Sequence, residues 1–138
     1  MTRDVTSQVP IGLFLKRADA AITAYASKAL QEVGIDRTQW QMLRIVHEAR
    51  VISKESVRQS LKDFIDEQTF NKLLQRLTGD GWIAEKQGQL ALTDAGNEKH
   101  DQAFEIQKQV RQQTVKGISE EEYNAVIRVL QQVIENLK

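Results

Sequence analysis

The sequence predicts a mostly helical fold that contains one very short β-hairpin, and the order of these elements is its most specific feature. An apolar stripe at helical spacing comes first, formed by Phe70, Leu73, Leu74 and Leu77. Residues 78–81 stop that helix, because Gly81 can take the left-handed backbone conformation that often ends helices. Short apolar segments at 82–84 and 90–92 then flank a turn-forming sequence and predict a two-stranded hairpin. Helices followed by a hairpin and a further helix are typical of a winged helix-turn-helix.

Two helices are predicted in the N-terminal third of the chain. Periodic apolar residues predict the first over 9–33, and Gly34 supplies a C-terminal stop. Thr38 and Gln41 have the spacing of a capping box, which predicts that a second helix opens there and continues to about Ala49. The inward positions predicted for this helix are Trp40, Leu43 and Val46.

Two shorter helices are predicted next. Ser53 has the side chain of an N-cap, which predicts a third helix from Lys54 to about Phe64. Its apolar positions are Val57 and Leu61. Asp66 can cap the fourth helix, which carries the stripe described above.

Two long helices are predicted after the hairpin. Thr93 caps a fifth helix from about Asp94 to Lys116, one face of which carries Ala103, Phe104, Gln107 and Val110. Ser119 and Glu122 have the spacing of a second capping box. They open a last helix with a continuous apolar stripe formed by Tyr123, Val126, Ile127, Leu130, Val133, Ile134 and Leu137.

The terminal helices predict an assembly of two chains. We interpret residues 1–138 as one domain, with a winged-helix module at about 38–92 and dimerisation helices at about 9–33 and 94–138. The last stripe is too apolar to remain in water, so either the two terminal helices cover each other or a second subunit covers them. We favour a homodimer, with an interface on the order of 2,000 Å² or more.

Composition limits the function classes. Lys and Arg together number 19, as do Asp and Glu, and residues 51–92 carry six of each sign, whereas DNA-binding modules usually have a basic face. Cysteine is absent, which fits a reducing cytoplasm. The N-terminal eight residues lack the apolar core of a signal peptide, and no apolar run is long enough to span a membrane. We therefore expect a cytoplasmic protein without a membrane partner.

Four local motifs resemble the MarR (multiple antibiotic resistance regulator) family of transcription factors. They lie in the same order and at nearly the same spacing over most of the chain, at residues 38–43, 77–83, 92–96 and 117–122. The resemblance implies a winged-helix dimer that binds double-stranded DNA at a palindromic operator. The wing departs from the family, whose members usually carry a longer wing with an Asp-Arg-Arg-like cluster. Here residues 85–90 contain no arginine, and Lys86 is their only cation.

The fourth helix supplies the candidate DNA contacts, because in such modules this helix enters the major groove. With the apolar stripe inward, its outward residues are Gln68, Thr69, Asn71, Lys72, Gln75 and Arg76. Phosphate contacts are expected from Ser53, Lys54 and Arg58, and a wing contact from Lys86. The alternative is an ordinary solvated helix face. Asp66 and Glu67 oppose phosphates at the start of the helix, which predicts weak DNA affinity.

The resemblance also implies a pocket for a small aromatic or acidic ligand. Its candidate residues are Tyr25, Trp40, Arg44 and His47, since an arginine beside aromatic rings can hold a carboxylate. The alternative is that Trp40 belongs to the core and that Arg44 and His47 form a polar edge.

No cofactor, metal site or catalytic site is expected. His47 with Glu48, or His100 with Glu98 and Asp101, does not have the spacing of a dedicated metal site. The sequence contains no cysteine nucleophile, glycine-rich phosphate loop or His-Glu-x-x-His motif, so we do not expect an enzyme.

These observations favour a sequence-specific DNA-binding transcriptional regulator, a homodimeric repressor that responds to a small molecule. The alternative is a winged-helix protein-interaction module that has lost or weakened DNA binding. Neutral charge and the short wing favour the alternative, whereas the amide-rich face of the fourth helix opposes it, because protein interfaces are usually more aromatic or aliphatic.

Overall fold

A computed structural model describes residues 9–138, and within them six helices and three short strands. The elements in chain order are α1 (Ile11–Gln31), α2 (Arg37–Ala49), β1 (Ile52–Ser53), α3 (Lys54–Leu61), α4 (Glu67–Gly79), β2 (Ile83–Lys86), β3 (Gln89–Leu92), α5 (Asp94–Thr114) and α6 (Glu120–Asn136). Residues 1–8, which include the segment compared with a signal peptide, lie outside the described residues. Within the described range, no helix combines the length and apolar character needed to cross a membrane.

The predicted order of helices, hairpin and helices is confirmed, but the predicted start of α2 is wrong. Asp36, not Thr38, is the N-cap: its carboxylate accepts a hydrogen bond from the backbone N–H of Gln39 at 2.8 Å. The Gln39 side chain accepts one from the Asp36 N–H at 2.8 Å, which completes a capping box. Thr38 lies inside the helix and donates its hydroxyl to Asp36 at 2.8 Å. Asp36 with Gln39 and Thr38 with Gln41 both have the spacing of a capping box, and the earlier pair caps the helix.

The caps predicted for the other helices are confirmed. Ser53, Asp66, Thr93 and Ser119 each accept a hydrogen bond from the backbone three residues later, as N-caps do. The end predicted for α3 is wrong, because the helix stops at Leu61 and the chain turns towards α4. Phe64 lies in this turn, where its side chain is exposed.

The hairpin is confirmed, but the sheet has three strands instead of two. β2 and β3 pair antiparallel around Gln87 and Gly88, whose φ angles of 53° and 76° are those of a tight two-residue turn. β1 pairs antiparallel with the other side of β3, giving the order β1-β3-β2. A two-residue strand is too short to produce a periodic pattern, so the sequence did not predict it.

Two apolar clusters form the core, and α2 contributes to both. The predicted inward stripe of α4 is buried and packs against α2, α3 and the sheet. The second cluster joins α1, α2 and α5 and contains the buried side chains of Leu30, Trp40, Leu43, Ala103 and Val110. Because α2 lies between them, it connects the winged-helix module, residues 37–92, to the long helix α5.

Close packing fixes the start of α5. The Thr93 hydroxyl accepts a hydrogen bond from the Gly96 N–H at 3.0 Å, and the Thr93 N–H donates to the carbonyl of Trp82 at 3.0 Å. A Cβ at Gly96 would overlap that same carbonyl, so only glycine fits there. α5 is thereby held directly against the residue that leads into β2.

The buried face of α5 differs from the predicted one, and α6 buries no residue. On α5, Ala103 and Val110 are buried as predicted, but Phe104 is exposed, and Ile106 completes the buried face. The capping box of α6 is confirmed, yet α6 has no buried residue. Most of its apolar stripe is therefore exposed in the described part of the chain, and only Leu130 and Val133 of the stripe are half-buried.

Candidate nucleic-acid interface

The outward face of α4 is polar and open to solvent. Its six residues proposed from the sequence are all exposed: Gln68, Thr69, Asn71, Lys72, Gln75 and Arg76. In residues 9–138, neither Lys72 nor Arg76 takes part in an ion pair. The two unpaired cations can bind phosphates, and the amide side chains beside them can form hydrogen bonds with base edges.

A negative charge lies at the N-terminus of α4. The Asp66 carboxylate accepts a hydrogen bond from the Thr69 N–H at 2.7 Å. This backbone hydrogen bond, together with that of the Thr69 side chain and the charge of Lys72, lowers the pKa of Asp66 below its ordinary value. Asp66 therefore remains ionised at neutral pH, where it stabilises the helix end and opposes an approaching phosphate.

Arg58, a proposed phosphate contact, is occupied by two carboxylates. Its guanidinium donates to Glu67 of α4 at 2.7 Å and also pairs with Glu55 of α3. Its side chain is only 37% exposed. The two acids neutralise the arginine and tie α3 to the start of α4, a contact that the sequence pattern did not indicate.

The wing residues lie together at one end of the sheet. Ser53 and Lys86 are both register partners of Gln89, one on each side of β3. The Lys54 N–H donates to the carbonyl of Gly88 at 2.8 Å, which holds the wing turn against the start of α3. The proposed contacts Ser53, Lys54 and Lys86 are thus neighbours, close to a wing turn of only two residues.

The ligand candidates do not share one pocket. Trp40 and Arg44 line a cavity of about 230 Å³ between α1, α2 and α5, together with Arg37, Thr23 and Gln107. Tyr25 is exposed on α1 and does not line this cavity. His47 lines a separate cavity of about 320 Å³ with Asn97 and Arg50. Arg37 was missed because the predicted helix began at Thr38, although two helical turns place Arg37 on the same face of α2 as Arg44.

Several solved structures with a similar fold are MarR or a MarR family protein. The reduced form of MarR from E. coli is 18% identical and has a TM-score of 0.76 over 96% of this chain and 98% of that chain. A MarR family protein from Mycobacterium tuberculosis, solved in complex with DNA, is 19% identical and has a TM-score of 0.77 over 91% and 98%. The chain has the MarR-type winged-helix fold.

The similarity is one of structure more than of sequence. A mutant MarR from E. coli complexed with operator DNA is 18% identical, with a TM-score of 0.75 over 96% of this chain and 99% of that chain. No family model matches the sequence, and no curated protein matches it. The MarR-type fold predicted from the four motifs is therefore confirmed at the level of three-dimensional structure.

Proposed function

We propose that this chain is a homodimeric MarR-family transcriptional regulator that binds double-stranded DNA through α4. The observation that carries the proposal is the solvent-exposed polar face of α4, with two unpaired cations, on a winged helix whose apolar stripe is fully buried. Structures with the same fold have been solved with DNA. A dimer would place two such helices on the half-sites of a palindromic operator.

The terminal helices support the dimer. A groove of about 380 Å³ between α1 and α6 is lined by Ile11, Phe14, Leu15, Ala18, Ala125, Val126, Val129 and Leu130, which are all apolar. Further apolar side chains of α6 are exposed beyond this groove, including Ile134 at 59%. So much exposed apolar surface on two adjacent helices favours burial against a second copy of the chain.

A small organic acid is the proposed effector. The cavity lined by Trp40 also contains Arg37 and Arg44, whose two positive charges outnumber the single negative charge of Asp19, and arginines beside an aromatic ring can hold an aromatic carboxylate. The M. tuberculosis protein with this fold has also been solved with salicylic acid and with p-aminosalicylic acid. We infer repression relieved by such a ligand as the regulatory output.

A protein-interaction module is the second candidate, and the neutralised Arg58 favours it. The acids Glu55, Asp66 and Glu67 surround the approach to α4, and the turn of the wing contains only two residues. This arrangement weakens phosphate binding relative to a wing and helix with free cations. The two candidates differ in one measurable property, which is discrimination between DNA sequences.

The test is selection from a random pool of DNA duplexes at low salt, followed by fluorescence anisotropy with the selected and a scrambled duplex. We expect enrichment of a palindrome. The double variant Lys72→Ala/Gln68→Ala should weaken binding to it by about tenfold or more, because each base contact contributes about 1–3 kcal/mol of discrimination.

The matched control removes the same residue types from another exposed helix, as Lys28→Ala/Gln31→Ala on α1. This control should bind like the unaltered protein. Failure to enrich any sequence, with equal binding to scrambled DNA at low salt, would refute DNA-sequence recognition and favour the interaction module.

A further inference from the structure

A cavity of about 320 Å³ lies where the end of α2 meets the end of β3 and the start of α5. Three of its lining residues can form hydrogen bonds with a ligand and two are aliphatic: His47, Arg50 and Asn97, and Val46 and Leu92. Arg50 is the only fully charged residue in this lining, and within residues 9–138 it takes part in no ion pair. The cavity therefore carries a net positive charge.

The backbone of Arg50 is strained. Its φ and ψ angles are 69° and −57°, and the Val51 N–H donates to the carbonyl of Ala49 at 2.8 Å, which together form a γ-turn of the rare, strained kind. In residues 9–138, four of the six positions with positive φ are glycine, and the other exception, Gln87, lies in the wing turn. Strain at a residue that is not glycine lowers stability and is found mainly at functional sites. The conformation therefore indicates a function for the arginine side chain.

The contact between His47 and Asn97 prepares a second donor group. His47 Nδ1 lies 3.2 Å from the amide oxygen of Asn97. Because an amide oxygen only accepts, the imidazole donates from Nδ1 and leaves the NH₂ group of Asn97 for a ligand. The cavity thus combines a guanidinium from the end of α2 with an amide from the first turns of α5.

We propose that this cavity binds the phosphate group of a small aliphatic phosphomonoester. Donors from two different helices suit the tetrahedral oxygens of phosphate, whereas one guanidinium can pair with both oxygens of a planar carboxylate. The volume lies in the range of small-molecule sites, about 300–1,000 Å³, and Val46 and Leu92 provide an apolar wall for the organic part. The backbone of DNA is another source of phosphate, and the test below distinguishes the two.

The acid closest to the ring of His47 does not line the cavity. Asp101 is bonded to Nδ1 of His100 at 3.0 Å, and the rings of His100 and His47 stack with their centroids 3.6 Å apart. The lining itself contains no carboxylate to oppose an anion. A ligand held here would contact both α2 and α5, and so strengthen the contact between the winged-helix module and the long helix.

The test is isothermal titration of the full-length chain with n-butyl phosphate, and with inorganic phosphate and pentanoate for comparison. We expect one butyl phosphate per chain. Inorganic phosphate should bind several-fold more weakly, because it leaves the apolar wall uncovered. Pentanoate should bind about tenfold more weakly, because a planar carboxylate uses fewer of the donors.

Two substitutions of Arg50 separate its side chain from its backbone. Arg50→Gln should abolish saturable binding of butyl phosphate. Arg50→Gly should abolish it too, yet raise the thermal midpoint by a few degrees, because glycine adopts positive φ without strain. Asn97→Ala should weaken binding by about tenfold, as loss of one hydrogen bond to a charged group does.

The matched control is Arg44→Gln, which removes an arginine of the same helix from the separate cavity lined by Trp40 and should leave binding of butyl phosphate unchanged. No saturable binding of butyl phosphate, or binding that Arg50→Gln leaves unchanged, would overturn the proposal.

A scrambled DNA duplex tests the other source of phosphate by fluorescence anisotropy. Arg50→Gln should not change its affinity. Weaker duplex binding by Arg50→Gln, without binding of butyl phosphate to the unaltered protein, would assign Arg50 to the DNA backbone and overturn the proposal. The titration itself uses no DNA, so its result is independent of the proposed function.

Discussion

The winged-helix module buries its apolar stripe, whereas the terminal helix α6 leaves most of its own stripe exposed. In the module, the stripe of α4 is buried against α2, α3 and the sheet, so one chain completes the packing. In α6, a stripe of the same periodicity has no buried residue. Periodicity therefore predicts an apolar face but not the surface that covers it. The module buries its own stripe, whereas the stripe of α6 stays largely exposed in the described part of the chain.

The largest expected effect is a loss of stability when the buried stripe of α4 is cut back. Leu77 of α4 is fully buried, and Leu77→Ala should lower the free energy of unfolding by about 3–5 kcal/mol through lost burial and the cavity that remains. Urea denaturation followed by circular dichroism measures this change. A loss below about 1 kcal/mol would mean that α4 does not pack as described.

The second prediction concerns the uncovered stripe. Val126→Asp/Ile134→Asp places two charges on the exposed apolar face of α6 and should convert the dimer to a monomer, since charges at an interface core are costly. Sedimentation equilibrium measures the molecular mass. Asn124→Asp/Gln132→Asp adds the same charges at the same spacing on the polar side and should leave the dimer intact. A monomeric unaltered protein would refute the dimer itself.

The third prediction concerns Arg58, whose charge is neutralised by Glu55 and Glu67. Glu67→Gln removes one partner of Arg58 and a charge beside α4, so DNA binding should become several-fold tighter at low salt. The salt dependence should steepen by about one unit in a plot of log affinity against log salt, as for one added phosphate contact. Glu48→Gln, on the exposed side of α2, is the control and should change neither quantity. An unchanged slope for Glu67→Gln would mean that Arg58 does not reach DNA.

The smallest effect concerns the cap of α4. Because the pKa of Asp66 is lowered in the folded state, its contribution to stability is present above its unfolded pKa and is lost as the pH falls through the folded value. Asp66→Ala should therefore lower the thermal midpoint at pH 7, and the difference from the unaltered protein should shrink at a pH well below 3.8, where the protonated carboxyl is only a neutral cap. Thermal unfolding over a pH series tests this.

Asp66→Ser provides the matched comparison for the same position. It keeps an N-cap side chain but removes the charge, so it should retain most of the stability at pH 7 and bind DNA more tightly than the unaltered protein. If Asp66→Ser and Asp66→Ala are equally unstable, the charge matters more than the cap.

Helix faces and helix caps could be predicted from the sequence, because they depend on residues close together in the chain. The stripe of α4 and the caps Ser53, Asp66, Thr93 and Ser119 depend on residues three or four positions apart, and all were confirmed. The failures also have local reasons. Asp36 and Thr38 offered competing caps, and β1 consists of two residues that become a strand only by pairing with β3.

For the candidate site, the sequence by itself determined which residues of α4 point outward, because the helical period separates the six polar positions from the apolar stripe. Only the tertiary structure decided which charges are free. It paired Arg58 with Glu67 across two helices, placed Arg37 beside Arg44 in one cavity, and separated Tyr25 and His47 from it. It also brought His47 onto His100, a contact that no sequence pattern indicated. The physical reason is that periodicity fixes a side chain's direction from its own helix, while its partner depends on how that helix packs against others.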